Sequence, residues 1–216
     1  MRLRHKPWAR PELEACSFVI TNPKDFKGKW KEVFKNDNEI YLELGCGKGK
    51  FISEISAQNP DKNFIGIDLK NEVLVYAKRK VEEKFKEMGK EVDNVRLIIG
   101  DITYVDEMFD KDEISRIYLN FSTPWPKKRH NKRRLTYPRF LEKYKTFLKK
   151  GSEIWFKTDH EDFFKDSINY FQECGFTLKY ITYDLHGSDF KENIMTEYEM
   201  KFASLGQKIM FLIAAY

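Results

Sequence analysis

Five short apolar runs punctuate the chain, at 40–44 (IYLEL), 63–68 (NFIGID), 95–100 (VRLIIG), 114–121 (ISRIYLNF) and 153–158 (EIWFKT). Between them the apolar residues recur at helical spacing. Phe51, Ile52 and Ile55 precede a stop at Asn59 and Pro60, and Val73, Ala77, Val81 and Phe85 precede Gly89. Phe140, Tyr144, Phe147 and Leu148 mark another helix, and one more is predicted over 161–174, ending at Gly175. Strands that alternate with helices demand an α/β fold: a mostly parallel sheet covered by helices on both faces. Three further strand candidates follow, at 177–184 (TLKYITYD), 197–203 and 208–215. The short gap at 204–207 contains a glycine and reads as a hairpin, so one antiparallel strand is expected.

In such sheets ligands bind at the carboxyl ends of the strands, and that is where the distinctive residues fall. The first run leads into ELGCGKGK (43–50), where Gly45, Gly47 and Gly49 permit a tight turn and close backbone approach to a ligand. The spacing is G-x-G-x-G, and Lys50 occupies the last position of G-x-G-x-x-G, which disfavours a dinucleotide. Glu43 would sit badly beside a pyrophosphate and suits a ligand with a cationic end. Asp68 ends the second run and is placed to accept from ribose hydroxyls; Asp101 follows the third and is placed to accept from an adenine amine. Any one of these acids reads more simply as a helix cap or a solvated loop residue. Three at successive strand ends, after a glycine turn, point to S-adenosyl-L-methionine.

The fourth run ends in NFSTPWPKKRHNKRRL (120–135). Pro124 and Pro126 stiffen a turn that presents Trp125, either to stack on a base or to pack in the interior. From 120 to 141 there are seven Lys or Arg and no Asp or Glu. The overall charge, 39 − 34 = +5, is too mild to mark a nucleic-acid binder, but this local run suits a phosphate backbone. Other classes are disfavoured. No apolar run approaches the roughly 20 residues that span a bilayer, and the basic start lacks the apolar segment of a secretory signal. Cys16, Cys46 and Cys174 are far apart and form no zinc pattern, which suits a reducing, cytoplasmic setting. Cys46 reads as a small spacer. Cys174 and the stripe Phe163, Phe164, Tyr170 and Phe171 read as packing.

The chain resembles the bacterial tRNA (guanine-N7-)-methyltransferases along nearly its whole length. The likeness rests on MRLRHKPWA, ELGCGKGKF, YLNFSTPWPKKRHNKRRLTY, FKTD (156–159) and NIMTEYE (193–199). The resemblance implies a single Rossmann-like class I methyltransferase domain over 1–216, with residues 1–35 a basic N-terminal extension of it, and a seven-stranded, mostly parallel sheet with one antiparallel strand. It implies methyl transfer to N7 of guanosine 46 in the tRNA variable loop, by a monomer or homodimer without metal. Glu43, Gly45, Gly47, Asp68, Asp101 and Thr123 would contact S-adenosyl-L-methionine. Lys127, Asp159, Thr196, Glu197, Tyr198 and Glu199 would contact the target nucleoside. Arg129, His130, Asn131, Lys132, Arg133 and Arg134 would contact RNA.

Thr123 departs from the family pattern, which carries Asp at this active-site position. Threonine keeps a hydroxyl and loses the charge. Guanine N7 has a lone pair and no proton to lose, so methylation there can proceed by positioning, without a carboxylate base. Two rivals remain: a catalytically impaired tRNA-binding member of the fold, and a methyltransferase acting on exocyclic amines. The turn 120–123 does not match the motif of the latter. A nicotinamide oxidoreductase is opposed by the glycine spacing and by Glu43.

Overall fold

Both halves of the chain are α/β. The computed structural model describes residues 4–216, in two units that divide after residue 109. The first unit runs α1 (Ala9–Glu14), β1 (Val19–Ile20), a 3-10 turn (Pro23–Phe26), α2 (Trp30–Phe34), β2 (Ile40–Leu44), α3 (Lys50–Gln58), β3 (Asn63–Asp68), α4 (Asn71–Glu87), β4 (Val95–Ile99) and a second 3-10 turn (Ile102–Glu107). Its strands lie in the order β1-β4-β3-β2, all parallel. The apolar residues of α4 form one face, and Leu74, Val75, Ala77, Val81 and Phe85 are all buried. Each large side chain buried this way contributes about 1.5–3 kcal/mol.

Residues 1–3 of the N-terminal stretch lie outside the described residues. The part that follows is built into the unit. Trp30 is fully buried and its indole N–H donates to the Met108 carbonyl at 2.9 Å. Arg79 of α4 holds Glu12 of α1 with two hydrogen bonds, at 2.8 and 2.6 Å, and its guanidinium lies 4.7 Å from the Trp8 ring centre.

The second unit contains β5 (Ile114–Asn120), a 3-10 turn (Lys128–Arg133), α5 (Pro138–Lys145), β6 (Leu148–Thr158), α6 (Glu161–Glu173), β7 (Thr177–Thr182), α7 (Glu197–Ala203) and β8 (Met210–Ala215). The strand order is β5-β6-β8-β7. β5 and β6 are parallel, and β8 is antiparallel to both its neighbours. Phe156, Phe163, Phe164, Phe171 and Phe211 fill the interior, each at most 1% exposed.

The described residues thus contain eight strands where seven are expected; the extra one is β1, two residues long, with no periodicity to reveal it. The stretch 197–203 is a correction of type. It is a helix, because Thr196 and Glu199 close a capping box at its start: the Thr196 hydroxyl accepts from the Glu199 N–H and the Glu199 carboxylate accepts from the Thr196 N–H. Residues 204–207 are therefore no hairpin, and the antiparallel strand β8 pairs with β6 and β7 instead. Phe147 and Leu148 lie beyond the end of α5, with Leu148 opening β6.

Candidate functional site

In the first unit the glycine turn joins β2 to α3. Gly45, Gly47 and Gly49 all take positive φ, +84°, +55° and +79°. The N–H groups of Gly45 and Cys46 donate to the Ile67 carbonyl at 2.9 and 3.0 Å. Asp68, at the end of β3, clamps the turn: its Oδ2 accepts from the Gly47 N–H at 3.1 Å and its Oδ1 from the Lys70 N–H at 2.9 Å. The glycines serve different ends. A Cβ on Gly49 would lie 2.5 Å from the Ala77 Cα, so this glycine lets α3 and α4 approach. A Cβ on Gly45 or Gly47 would meet nothing within 4 Å, so these two line open space.

Glu43 at the end of β2 is 3% exposed. Burial pushes the Cys46 thiol well above its usual range, and the neighbouring Glu43 and Asp68 carboxylates push it further, so Cys46 is an inert spacer. Burial also raises the Asp68 carboxyl, against the N–H groups of Lys70 and Gly47. Asp101 is exposed and caps the turn after β4, accepting from the Thr103 N–H at 2.8 Å. Two sheltered carboxylates around an open glycine cradle fit a ligand with a cationic end and ribose hydroxyls.

In the second unit β5 delivers the proline-rich turn. Phe121 and Trp125 both sit at positive φ, +50° and +44°. For bulky side chains this conformation is strained, at a cost of about 1–3 kcal/mol each. Thr123, between them, is exposed. Trp125 is half-buried, with the Arg133 guanidinium 4.9 Å from its ring centre and the His130 ring edge-on at 5.7 Å. Lys127, Lys128, Arg129, Lys132 and Arg133 are exposed, and His130 and Asn131 are half-buried. Arg134 is a correction to the basic run. It is 2% exposed, donates through Nε to the Pro124 carbonyl at 2.7 Å, and pairs with Asp166 at 2.5 Å. It braces the turn from inside and is not presented to a phosphate.

Of the residues expected at the target nucleoside, Asp159, Thr196, Glu197, Tyr198 and Glu199 gather at the end of β6 and the start of α7. Asp159 accepts on Oδ2 from the Tyr198 hydroxyl at 2.9 Å and the Gln207 amide at 3.1 Å. Burial, with Asp159 beside it, pushes the Tyr198 hydroxyl up to about 12, so it stays a donor at neutral pH. The Tyr198 ring lies 4.9 Å from that of Phe121 and 4.2 Å from that of Phe202. Glu197 is exposed and Thr196 half-buried. Glu199 is a second correction. It is 0% exposed, and both its oxygens are engaged within the protein, so it is not a surface that reads a base.

A family model described as a putative methyltransferase matches residues 37–212. The tRNA (guanine-N(7)-)-methyltransferase of Clostridium tetani (strain Massachusetts / E88) is 60% identical over 214 residues, covering 99% of each chain. That of Clostridium acetobutylicum is 59% identical over the same length and coverage. The chain belongs to the tRNA (guanine-N(7)-)-methyltransferase family.

Solved structures agree on the fold. An antibiotic-related methyltransferase superposes with a TM-score of 0.63 at 17% identity, covering 93% of this chain and 96% of that one. The 16S rRNA methyltransferase KamB gives 0.63 at 10% identity, covering 87% and 92%. Against this frame, sequence reasoning missed Lys157, His186, Asn193 and Asp166. One signal was available: Lys157 is a lone charge inside the apolar run EIWFKT. For the other three nothing local distinguishes a partner from a solvated residue.

Proposed function

We propose that this protein methylates N7 of a tRNA guanine, guanosine 46 of the variable loop, using S-adenosylmethionine. The observation that carries the reading is full-length identity of 60% to a tRNA (guanine-N(7)-)-methyltransferase. The exposed basic run beside the strained turn supports it. tRNA as substrate suits a cytoplasmic enzyme.

When bound, S-adenosylmethionine supplies an electrophilic methyl group on a sulfonium sulfur. Glu43 would take its ammonium end, Gly45 and Gly47 would admit its chain, and Asp101 would accept from its adenine amine. Asp68, whose carboxylate burial leaves short of compensation, would accept from the ribose hydroxyls. Thr123 would offer one hydroxyl hydrogen bond.

On the acceptor side, Arg129, Lys132 and Arg133, with His130 and Asn131, would hold phosphates, and Lys127 would approach the target nucleoside. Asp159 would accept from the N1–H and N2–H₂ edge of guanine, with Thr196, Glu197 and Tyr198 around it. That edge is opposite N7, which stays free to attack. N7 carries no proton, so the protein needs no general base. It needs the base extruded from its stack and held at roughly 3–3.5 Å from the methyl carbon. Asp159 would also offset the positive charge that grows on the ring.

Thr123 favours a second reading, an impaired member that binds tRNA without transfer. Methyl transfer from labelled S-adenosylmethionine to an unmodified transcript, to its guanosine-46-to-adenosine version, and by Thr123→Asp tests both. Label as 7-methylguanosine on the guanosine transcript alone is the expected result. Transfer by Thr123→Asp alone would establish the impaired reading. No transfer by either, with tRNA and cofactor bound, would overturn the substrate assignment.

A further inference from the structure

Beneath Asp159 lies a closed polar cluster that the proposed chemistry leaves unused. Lys157 of β6 is 4% exposed. Its ammonium donates to Glu199 Oε2 at 2.7 Å, to the Ile194 carbonyl at 2.9 Å and to Asn193 Oδ1 at 3.1 Å. Glu199 accepts on Oε2 also from the Thr196 N–H at 3.3 Å. Its Oε1 meets His186 Nε2 and Asn193 Nδ2, both at 2.8 Å. A carboxylate offers about four lone-pair sites, and these contacts occupy them.

A charge pair withdrawn from water adds little stability over apolar residues of the same volume. What this one supplies is geometry. It joins β6 to the segment 193–199, and Glu199 closes the capping box that starts α7. Tyr198, one residue earlier, is thereby held where its hydroxyl donates to Asp159, two residues beyond Lys157. Both hydrogen bonds to the Asp159 carboxylate arrive at Oδ2, which leaves Oδ1 as the oxygen for an incoming donor.

We propose that Lys157 is a positioning residue for the acceptor base: through Glu199 it sets the first turn of α7, and through Tyr198 it orients the Asp159 carboxylate toward the guanine edge. The inference rests on the guanine reading above. Glu199 then acts from behind the site and touches no substrate.

The test compares the parent, Lys157→Met/Glu199→Met, Tyr198→Phe and the three changes combined. The paired Met variant replaces the ion pair by apolar residues of similar size but leaves His186, the Asn193 amide and the Thr196 N–H without their acceptor, so its melting temperature falls by several degrees while the protein stays folded. Its kcat falls about tenfold or more, while KM for tRNA changes less than about twofold, because the exposed basic run is intact. Adding Tyr198→Phe lowers kcat no further, since both changes interrupt one chain of contacts. Full kcat in the paired Met variant, or multiplied losses on combination, overturns the proposal. If the parent transfers no methyl group to tRNA guanine, the functional reading fails separately, and backbone hydrogen exchange decides the structural one. Faster exchange at 193–200 in the paired Met variant, with β6 and β8 still protected, upholds the positioning role. Unchanged exchange there overturns it.

Discussion

Two glycines two positions apart do different work in the same turn. A Cβ at position 49 collides with the backbone of α4, and a side chain at φ +79° is strained as well. Gly49→Ala is expected to cost about 2–5 kcal/mol, the sum of overpacking and left-handed strain, read by urea denaturation. Gly47→Ala meets no protein atom. It is expected to cost only about 1–2 kcal/mol of stability, while cofactor affinity falls more than tenfold by calorimetry because the methyl enters the cradle. Adjacent arginines divide in the same way. Arg134→Ala removes a buried brace and is expected to destabilise by about 1–3 kcal/mol. Arg133→Ala should leave stability within about 0.5 kcal/mol and lower the salt dependence of tRNA binding by about one phosphate contact. At position 123, a carboxylate would stabilise charge growing on the base. Thr123→Asp is expected to raise kcat about tenfold, or ~1.4 kcal/mol.

At the scale of elements, α7 shows how a cap overrides composition. Its sequence, EYEMKFA, holds two aromatics and reads as a strand, and at seven residues it is too short to be stable alone. The Thr196–Glu199 box starts it, so Thr196→Ala is expected to cost about 0.5–2 kcal/mol, measured by thermal melting. Glu199 adds a pH signature. Burial alone would raise its carboxyl, but Lys157, His186 and Asn193 outweigh burial and hold it below the ordinary 4.5. A lowered folded-state value means that this contribution is complete above the unfolded value and is lost as the pH falls below 4.5 toward the folded one. Melting temperature against pH should therefore drop more steeply below 4.5 in the parent than in Glu199→Gln. The turn after β5 is the converse case. There Phe121 and Trp125 are held in strained conformations, as happens where a site is pre-formed.

For the whole molecule, a net charge of +5 says less than the placement of charge. Five residues of the basic run, Lys127, Lys128, Arg129, Lys132 and Arg133, face solvent. With four of them neutralising phosphates and Lys127 at the target nucleoside, log K for tRNA should fall against log salt with a slope of about −3. A slope near zero would remove phosphate contacts from the account. Elsewhere the charges are spent internally, as where Glu12 binds Arg79 and where Glu54 receives both Lys50 and Lys84.

The sequence by itself determined what is local in the chain. Alternating apolar runs specify strands and helices, and the glycines of the turn 45–49 specify positive φ. The acids Glu43, Asp68 and Asp101 fall at strand ends because the runs end there, and the motif at 120–135 carries the family likeness. Tertiary structure decided the fate of each charge. Arg133 and Arg134 are identical in chemistry and adjacent in sequence, yet one is exposed and the other buried against Asp166, 32 residues away. Glu199, expected in a strand and at the target nucleoside, is instead held in the interior by Lys157, 42 residues earlier. The reason is physical. Backbone conformation and apolar periodicity are set by neighbours along the chain, whereas the solvation of a charge depends on partners that only folding brings within hydrogen-bond reach.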